Sequence, residues 1–134
     1  MKCLLDTHII LWALLDRPDL SAKARHIISA GDNLLLYSTV SLWEVTIKNQ
    51  LHPRDIPCSG TELLRYCDAS VMCNLPVKNH HILALERLYR SNSVPLHKDP
   101  FDRLLLAQAM AENAVFLTHD KTLALYENVH VELV

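Results

Sequence analysis

Four carboxylates in this chain fall where strands end or helices begin. Asp6 follows the apolar run Lys2-Cys3-Leu4-Leu5, and Asp120 closes the segment Leu117-Thr118-His119-Asp120. Glu44 lies near the start of an apolar helical stretch, and Asp102 sits two residues behind Pro100. In an open parallel sheet such positions converge on the carboxyl edge, where ligands bind. Like charges crowded in low dielectric raise one another's pKa values, and a divalent cation removes that conflict. Oxygen-only donors favour Mg²⁺ or Mn²⁺ over zinc. Such a site can polarise a phosphodiester, activate water and stabilise the leaving oxygen, so phosphodiester hydrolysis is the reaction class that fits best. Each carboxylate also has an ordinary reading. Asp6 and Asp120 can cap the helices that follow them, Glu44 can pair with Lys48 four residues on, and Asp99 and Asp102 can favour a helix N-terminus by charge alone. Spacing by itself leaves both readings open.

The elements that must position these groups alternate between short β-like runs and longer helical ones. Strands are expected over residues 2–5, 34–38, 71–75 and 114–117, with a last edge strand over 129–131. Helices are expected over residues 7–15, from Ser21 to about 30, and over about 41–51, 61–68, 80–90, 101–112 and 121–126. Gly31-Asp32-Asn33 is turn chemistry, and Pro100 suits a first helical turn. Strands joined through helices imply crossovers and a mainly parallel sheet. No repeat or linker interrupts the 134 residues, which read as one α/β domain.

Composition excludes several functions. Gly31 and Gly60 are the only glycines, too few for a Walker loop, a dinucleotide fingerprint or a serine nucleophile elbow. A formal charge of −2 gives no bulk attraction to nucleic acid or acidic lipid, so phosphate contacts must be local. The longest run without Asp, Glu, Lys or Arg is residues 33–43, too short to span a membrane, and the first residues do not read as a secretory signal. Cys3, Cys58, Cys67 and Cys73 form no Cys-x-x-Cys pair and read as reduced, mostly buried thiols of a cytoplasmic protein. The eight histidines, including His8 and the His80-His81 pair, show no zinc-type spacing, which favours surface or packing roles. His97 and His119 adjoin the acidic motifs and could hydrogen-bond carboxylates. Trp12 and Trp43 could stack bases, but their apolar helical settings favour packing or a protein interface.

Taken together, four motifs resemble the PIN-domain family, and within it the VapC-type toxins of prokaryotic type II toxin–antitoxin systems. They are Leu5-Asp6-Thr7-His8 with Leu11-Trp12, Ser41-Leu42-Trp43-Glu44-Val45 with Lys48, His97-Lys98-Asp99-Pro100-Phe101-Asp102-Arg103 running into Leu106-Ala107-Gln108-Ala109, and Leu117-Thr118-His119-Asp120. The resemblance covers residues 1–134 as a single PIN-like domain. It implies a three-layer α/β/α sandwich around a mainly parallel sheet of four to five strands, and a Mg²⁺- or Mn²⁺-dependent endoribonuclease. Asp6, Glu44, Asp102 and Asp120 match the family's metal-binding catalytic positions. Asp99 is an extra carboxylate of the Asp-Pro-Phe-Asp-Arg subgroup with an open role, and Thr7, Ser41 and Thr118 stand as supports that hydrogen-bond ligands or water. The resemblance also implies an RNA substrate, a homodimer, a neutralising antitoxin and no membrane. Residues 49–54 depart from the pattern, lacking the glycine that relatives often carry in that turn.

Lys48, Lys98, Arg103 and Lys121 each lie within four residues of a proposed ligand, which makes them candidates for the RNA backbone. Charge balance around an acidic site explains them equally well. Two other classes compete. A non-catalytic PIN-like module binding RNA or protein would have lost an acidic ligand, and none is missing. A phosphoacceptor receiver domain needs an acidic pair after the first strand and an acceptor aspartate after the third, where Asn74-Leu75-Pro76 stands instead.

Overall fold

Side chains of the strands alternate between two apolar layers, as the period of two demands. Cys3 and Leu5 face one layer while Leu4 faces the other; Leu35 and Tyr37 oppose Leu36, and Val115 and Leu117 oppose Phe116. The computed structural model describes residues 1–91 and 98–134. Its elements are β1 (Lys2–Leu5), α1 (Thr7–Leu14), α2 (Ala22–Ser29), β2 (Leu34–Ser38), α3 (Thr39–Leu51), α4 (Gly60–Asp68), β3 (Cys73–Leu75), α5 (Asn79–Ala84), α6 (Pro100–Ala111), β4 (Val115–Thr118) and β5 (Val131–Leu133). Short 3₁₀ segments occupy Leu85–Arg87 and Lys121–Leu125. The sheet runs in the order β3-β2-β1-β4-β5, with every pairing parallel. The expected α/β/α sandwich is therefore present, with five strands among the described residues, all parallel.

One layer buries Ile9, Ile10 and Leu11 of α1, Ala24 of α2 and Leu63 and Cys67 of α4. The other buries Leu104, Leu105, Leu106 and Ala109 of α6. Helix α3 serves both, giving Val40 to one layer and Val45 to the other. All four cysteines are free; Cys3, Cys58 and Cys67 are buried and Cys73 is exposed. Burial pushes the Cys67 thiol up to about 11, which leaves it unreactive at neutral pH. Among the described residues no helix is long and apolar enough to cross a membrane.

Several boundaries differ from the sequence expectation, each for a nameable reason. Helix α3 begins at Thr39 rather than about 41, because the Ser38 hydroxyl accepts the Val40 N–H and caps it. The helix expected over residues 80–90 ends at Ala84 and tightens into a 3₁₀ turn. Asn128 takes over the backbone beyond it, accepting the Tyr89 N–H at 2.9 Å and donating to the Arg87 carbonyl at 2.5 Å. Strand β3 starts at Cys73, since the Ser70 hydroxyl bonds the Cys67 carbonyl and the Met72 N–H in a turn that closes α4. Ala114 belongs to the turn closing α6, where Asn113 adopts a left-handed φ of 51° and the Ala114 N–H bonds the Ala109 carbonyl. The edge strand lies two residues later than expected, because Val129 is buried in the core and Phe116 pairs with Val131.

Candidate active site

Strands β2 and β3 lie to one side of β1, and β4 and β5 to the other, so the strand order reverses between β1 and β4. The carboxyl ends at that switch point open into a cavity of about 350 Å³. Its lining includes Asp6, Glu44, Asp99, Asp102, Asp120 and Lys48. All four carboxylates expected from the motifs meet there, and Asp99 joins them as a fifth. The rest of the wall is His8, Trp12 and His119.

Asp6 ends β1 and caps α1, accepting the Thr7 N–H on Oδ1 at 2.8 Å. Thr118, at the end of β4, donates its hydroxyl to Asp6 Oδ2 at 2.6 Å and accepts the Asp120 N–H at 3.0 Å. That one threonine ties the two strand ends together. Burial pushes the Asp6 carboxyl above the usual aspartate range; the bonds from Thr118 and Thr7 pull the other way, and the nearby Glu44 charge adds to the rise. Glu44 is likewise buried on α3. Its Oε1 accepts the Thr7 hydroxyl at 2.6 Å, and Oε2 pairs with Lys48 Nζ at 2.5 Å. Ser41 shares a hydrogen bond with the same Thr7 hydroxyl at 2.9 Å. Thr7, Ser41 and Thr118 thus brace Asp6 and Glu44 from behind the cavity.

Asp99 caps α6, where Oδ1 accepts the Phe101 and Asp102 N–H groups, and its Oδ2 lies 4.0 Å from Lys48 Nζ. Asp120 caps the following 3₁₀ turn, its Oδ1 accepting both the Thr122 N–H and hydroxyl. Capping and ligation are therefore not rival roles here. Asp99 and Asp120 each cap through Oδ1, and each side chain also faces the cavity. Burial works to lower the Lys48 pKa, but the bond and charge of Glu44, with Asp99 and Asp102, raise it on balance. An ammonium so held is a local counter-charge.

The donor set suits a hard divalent ion, being carboxylate oxygen from five side chains on four segments, with Asp99 and Asp102 sharing the start of α6. Among the described residues, the trio with ligand atoms all within 4.8 Å is His80, His81 and Glu112, not a set of cavity carboxylates. An ion in the cavity would therefore keep water in its shell, as Mg²⁺ ordinarily does. The His80–His81–Glu112 trio is a proton network. His81 Nδ1 accepts the Lys78 N–H at 3.0 Å, which places the ring proton on Nε2, facing Glu112 Oε2 at 2.9 Å. A donor in that position is not a metal ligand.

The remaining expectations divide. Lys98 and Lys121 are exposed and lie outside the cavity lining, although each adjoins an aspartate that is part of it. Arg103 is half-buried and also outside the lining, with Nε buried and unpaired among the described residues. His97 lies outside the described residues. Trp43 is half-exposed with its ring edge-on to Phe101 at 4.7 Å, whereas Trp12 turns into the cavity wall. The i, i+4 spacing of His8 and Trp12, on the helix that Asp6 caps, was the signal for that aromatic wall.

Fold and cavity define a class: a parallel α/β protein with a carboxylate cluster at its topological switch point. The PIN-domain family model matches residues 3–128, and the chain belongs to that family. No curated protein matches it. Similar solved structures include VapBC2 from Rickettsia felis bound to a DNA fragment from their promoter, at 20% identity and a TM-score of 0.72, covering 99% of this chain and 98% of that one. VapBC-1 from nontypeable Haemophilus influenzae follows at 18% identity and a TM-score of 0.67, with 99% and 98% covered. The sarcin-ricin loop cleaving toxin VapC20 of Mycobacterium tuberculosis stands at 18% identity and a TM-score of 0.58, with 96% and 98% covered. At these identities the likeness is one of fold.

Proposed function

We propose that this chain is a divalent-metal-dependent endoribonuclease, the toxin of a type II toxin–antitoxin pair. The observation that carries the reading is the convergence of Asp6, Glu44, Asp99, Asp102 and Asp120 on one open cavity at the β1–β4 switch point. Asp6, Asp102 and Asp120, with Glu44, would hold Mg²⁺ or Mn²⁺. Bound there, the ion supplies a Lewis acid that polarises the phosphodiester and activates water.

The chain's own residues do the rest. Thr118 and the Thr7 N–H fix both oxygens of Asp6, and the Thr7 hydroxyl fixes Glu44, so neither carboxylate needs to reorganise when a substrate arrives. Lys48 offsets part of the negative charge that would repel a phosphate. Lys98, Arg103 and Lys121, outside the lining, are candidates for the RNA backbone. In-line attack of water on phosphorus, with the 3′ oxygen leaving and taking up a proton, would give 5′-phosphate and 3′-hydroxyl ends. The same reading includes an antitoxin and a homodimer as partners, with the cytoplasm as location. The VapBC neighbours support the antitoxin, and the exposed apolar side chains of Trp43, Leu51, Ile82 and Leu83 leave surface for a protein to cover.

The test is cleavage of a structured RNA pool by the purified protein and by Asp6→Asn, each with Mg²⁺, Mn²⁺ or EDTA. Metal-dependent cutting that vanishes in the variant is the expected result. Equal cutting by both proteins, with or without EDTA, removes the activity from this site.

A further inference from the structure

A second hollow, of about 140 Å³, adjoins the acidic cavity and shares His8 and Trp12 with it. Its far wall carries Arg17, Arg54 and Pro57. We propose that this hollow seats one nucleotide of the RNA strand next to the scissile phosphate, with its base against Trp12 and His8 and its phosphate on Arg17 and Arg54. The inference rests on the ribonuclease reading above.

Charge leads to it first. The acidic cavity sets five carboxylates against the single ammonium of Lys48, so a polyanion is repelled wherever no ion compensates. A strand crossing that cavity must gain its attraction outside it. The adjoining hollow has two guanidinium groups and one carboxylate, Asp55. Arg17 pairs with Asp19 only through Nε at 3.5 Å, and both side chains are about half exposed, so the pair is weak and its terminal nitrogens can reach a phosphate.

Ring geometry adds the second argument. Trp12 stands between two imidazoles, with its centroid 5.9 Å from His8 and 5.6 Å from His119. The indole is half-buried, braced from behind by the core that α1 packs against, and it lines both hollows. A rigid aromatic ring beside the guanidinium groups of Arg17 and Arg54 is the platform single-stranded nucleic acids use, because every base has a π-face to offer. Continuity with the cavity that would cut the chain favours RNA over a protein segment as the occupant.

Binding is measured without cleavage, in EDTA, on the full chain carrying Trp43→Phe so that Trp12 is the sole emitter. The probe is a single-stranded RNA oligonucleotide of mixed sequence. Saturable quenching of Trp12 is expected. Arg17→Glu with Arg54→Glu should weaken binding at least tenfold and flatten its salt dependence by about two phosphate contacts. Trp12→Leu, read by polarisation of a labelled oligonucleotide, should weaken it at least about fivefold. The arginine variant is on the surface, so it keeps the test valid if the tryptophan variant folds poorly. Unchanged Trp12 emission, or full binding by the double arginine variant, overturns the proposal and leaves the hollow to a protein segment. Quenching without cleavage on adding Mn²⁺ would instead refute the hydrolase while this subsite stands.

Discussion

Replacing Asp6 with Asn should make the metal-free protein more stable while abolishing cleavage, and added metal should reverse that order. Asp6 is 7% exposed, and taking a carboxylate out of water costs several kcal/mol. Two hydrogen bonds, from the Thr7 N–H and the Thr118 hydroxyl, recover part of this, and Glu44 adds repulsion. Burial prevails and holds the Asp6 pKa above the ordinary value, so at neutral pH an ionisable group there is a net cost to folding beside a neutral one. An amide keeps the cap to Thr7 but sets an N–H group against Thr118, which returns some of the gain. The balance is about 1 kcal/mol in favour of Asn, or roughly 2–5 °C in Tm for a chain of this length. The sign with pH follows. For an acid whose folded pKa is raised, the deficit is absent at low pH and grows as pH rises from the ordinary aspartate value through the folded one. The gap between the two proteins should therefore narrow on acidification. With metal at about 100 times its Kd, the wild type gains roughly 2.7 kcal/mol and the variant, lacking a ligand, much less. Thermal melts in EDTA and in Mn²⁺ read both effects. If Asp6→Asn melts below wild type in EDTA, or both gain equally from Mn²⁺, the account of a strained, ion-seeking carboxylate is wrong.

Three other perturbations bear on the frame around the cavity. The Glu112 carboxyl sits at about 2 rather than 4.5, chiefly through the His81 hydrogen bond, with His80 and Lys2 adding to it against burial. That difference is worth at most ~3.4 kcal/mol, and with Lys2 and His80 substantially exposed a realistic figure is about 1–2 kcal/mol. Since the folded pKa is depressed, this stability is full above pH 4.5 and drains as pH falls toward 2, so urea unfolding should find Glu112→Gln costly at pH 7 and increasingly harmless below pH 4. Gly60→Ala would put a Cβ 2.0 Å from the Thr46 hydroxyl, which is bonded to the Leu42 carbonyl; a loss of about 1–3 kcal/mol is expected, whereas Gly31→Ala meets nothing within 4 Å and should be neutral in the same denaturation series. Thr7→Val removes the hydroxyl that holds Glu44 and should weaken Mn²⁺ binding by roughly 10–100-fold while circular dichroism stays native; unchanged affinity would dismiss Thr7 as a positioning residue.

The parts of the site legible in the sequence are those governed by strand ends. Asp6 and Asp120 follow apolar runs that pair as β1 and β4, and parallel topology alone brings both to one edge. Glu44 and Asp102 required a further step, the orientation of α3 and α6, which the caps at Ser38 and Asp99 set. What escaped depends on contacts between distant segments. The early end of α5 is imposed by Asn128, 41 residues beyond the Arg87 carbonyl it binds, and no local propensity encodes that. The His81–Glu112 link spans 31 residues and carries no recognisable spacing. Trp12 sits in the apolar run from Ile9 to Leu14 and does pack against the core; only the tertiary structure shows that it also borders the cavity. Lys98 and Lys121 adjoin Asp99 and Asp120 in sequence yet lie outside the lining, because neighbours along the chain turn to different sides of the helix start.

The hydroxyl of Thr118 that fastens Asp6 joins residues 112 positions apart, and β1 is complete only when flanked by both β2 and β4. Pairings of that sequence separation close late in folding. At ordinary elongation rates, β1 is synthesised several seconds, at least roughly five, before β4 exists to receive it. Through that interval Asp6 belongs to a loose strand and Asp120 does not yet exist. The cavity is therefore not assembled on the nascent chain until α6 and β4 dock, so any chemistry it carries waits on the order of synthesis.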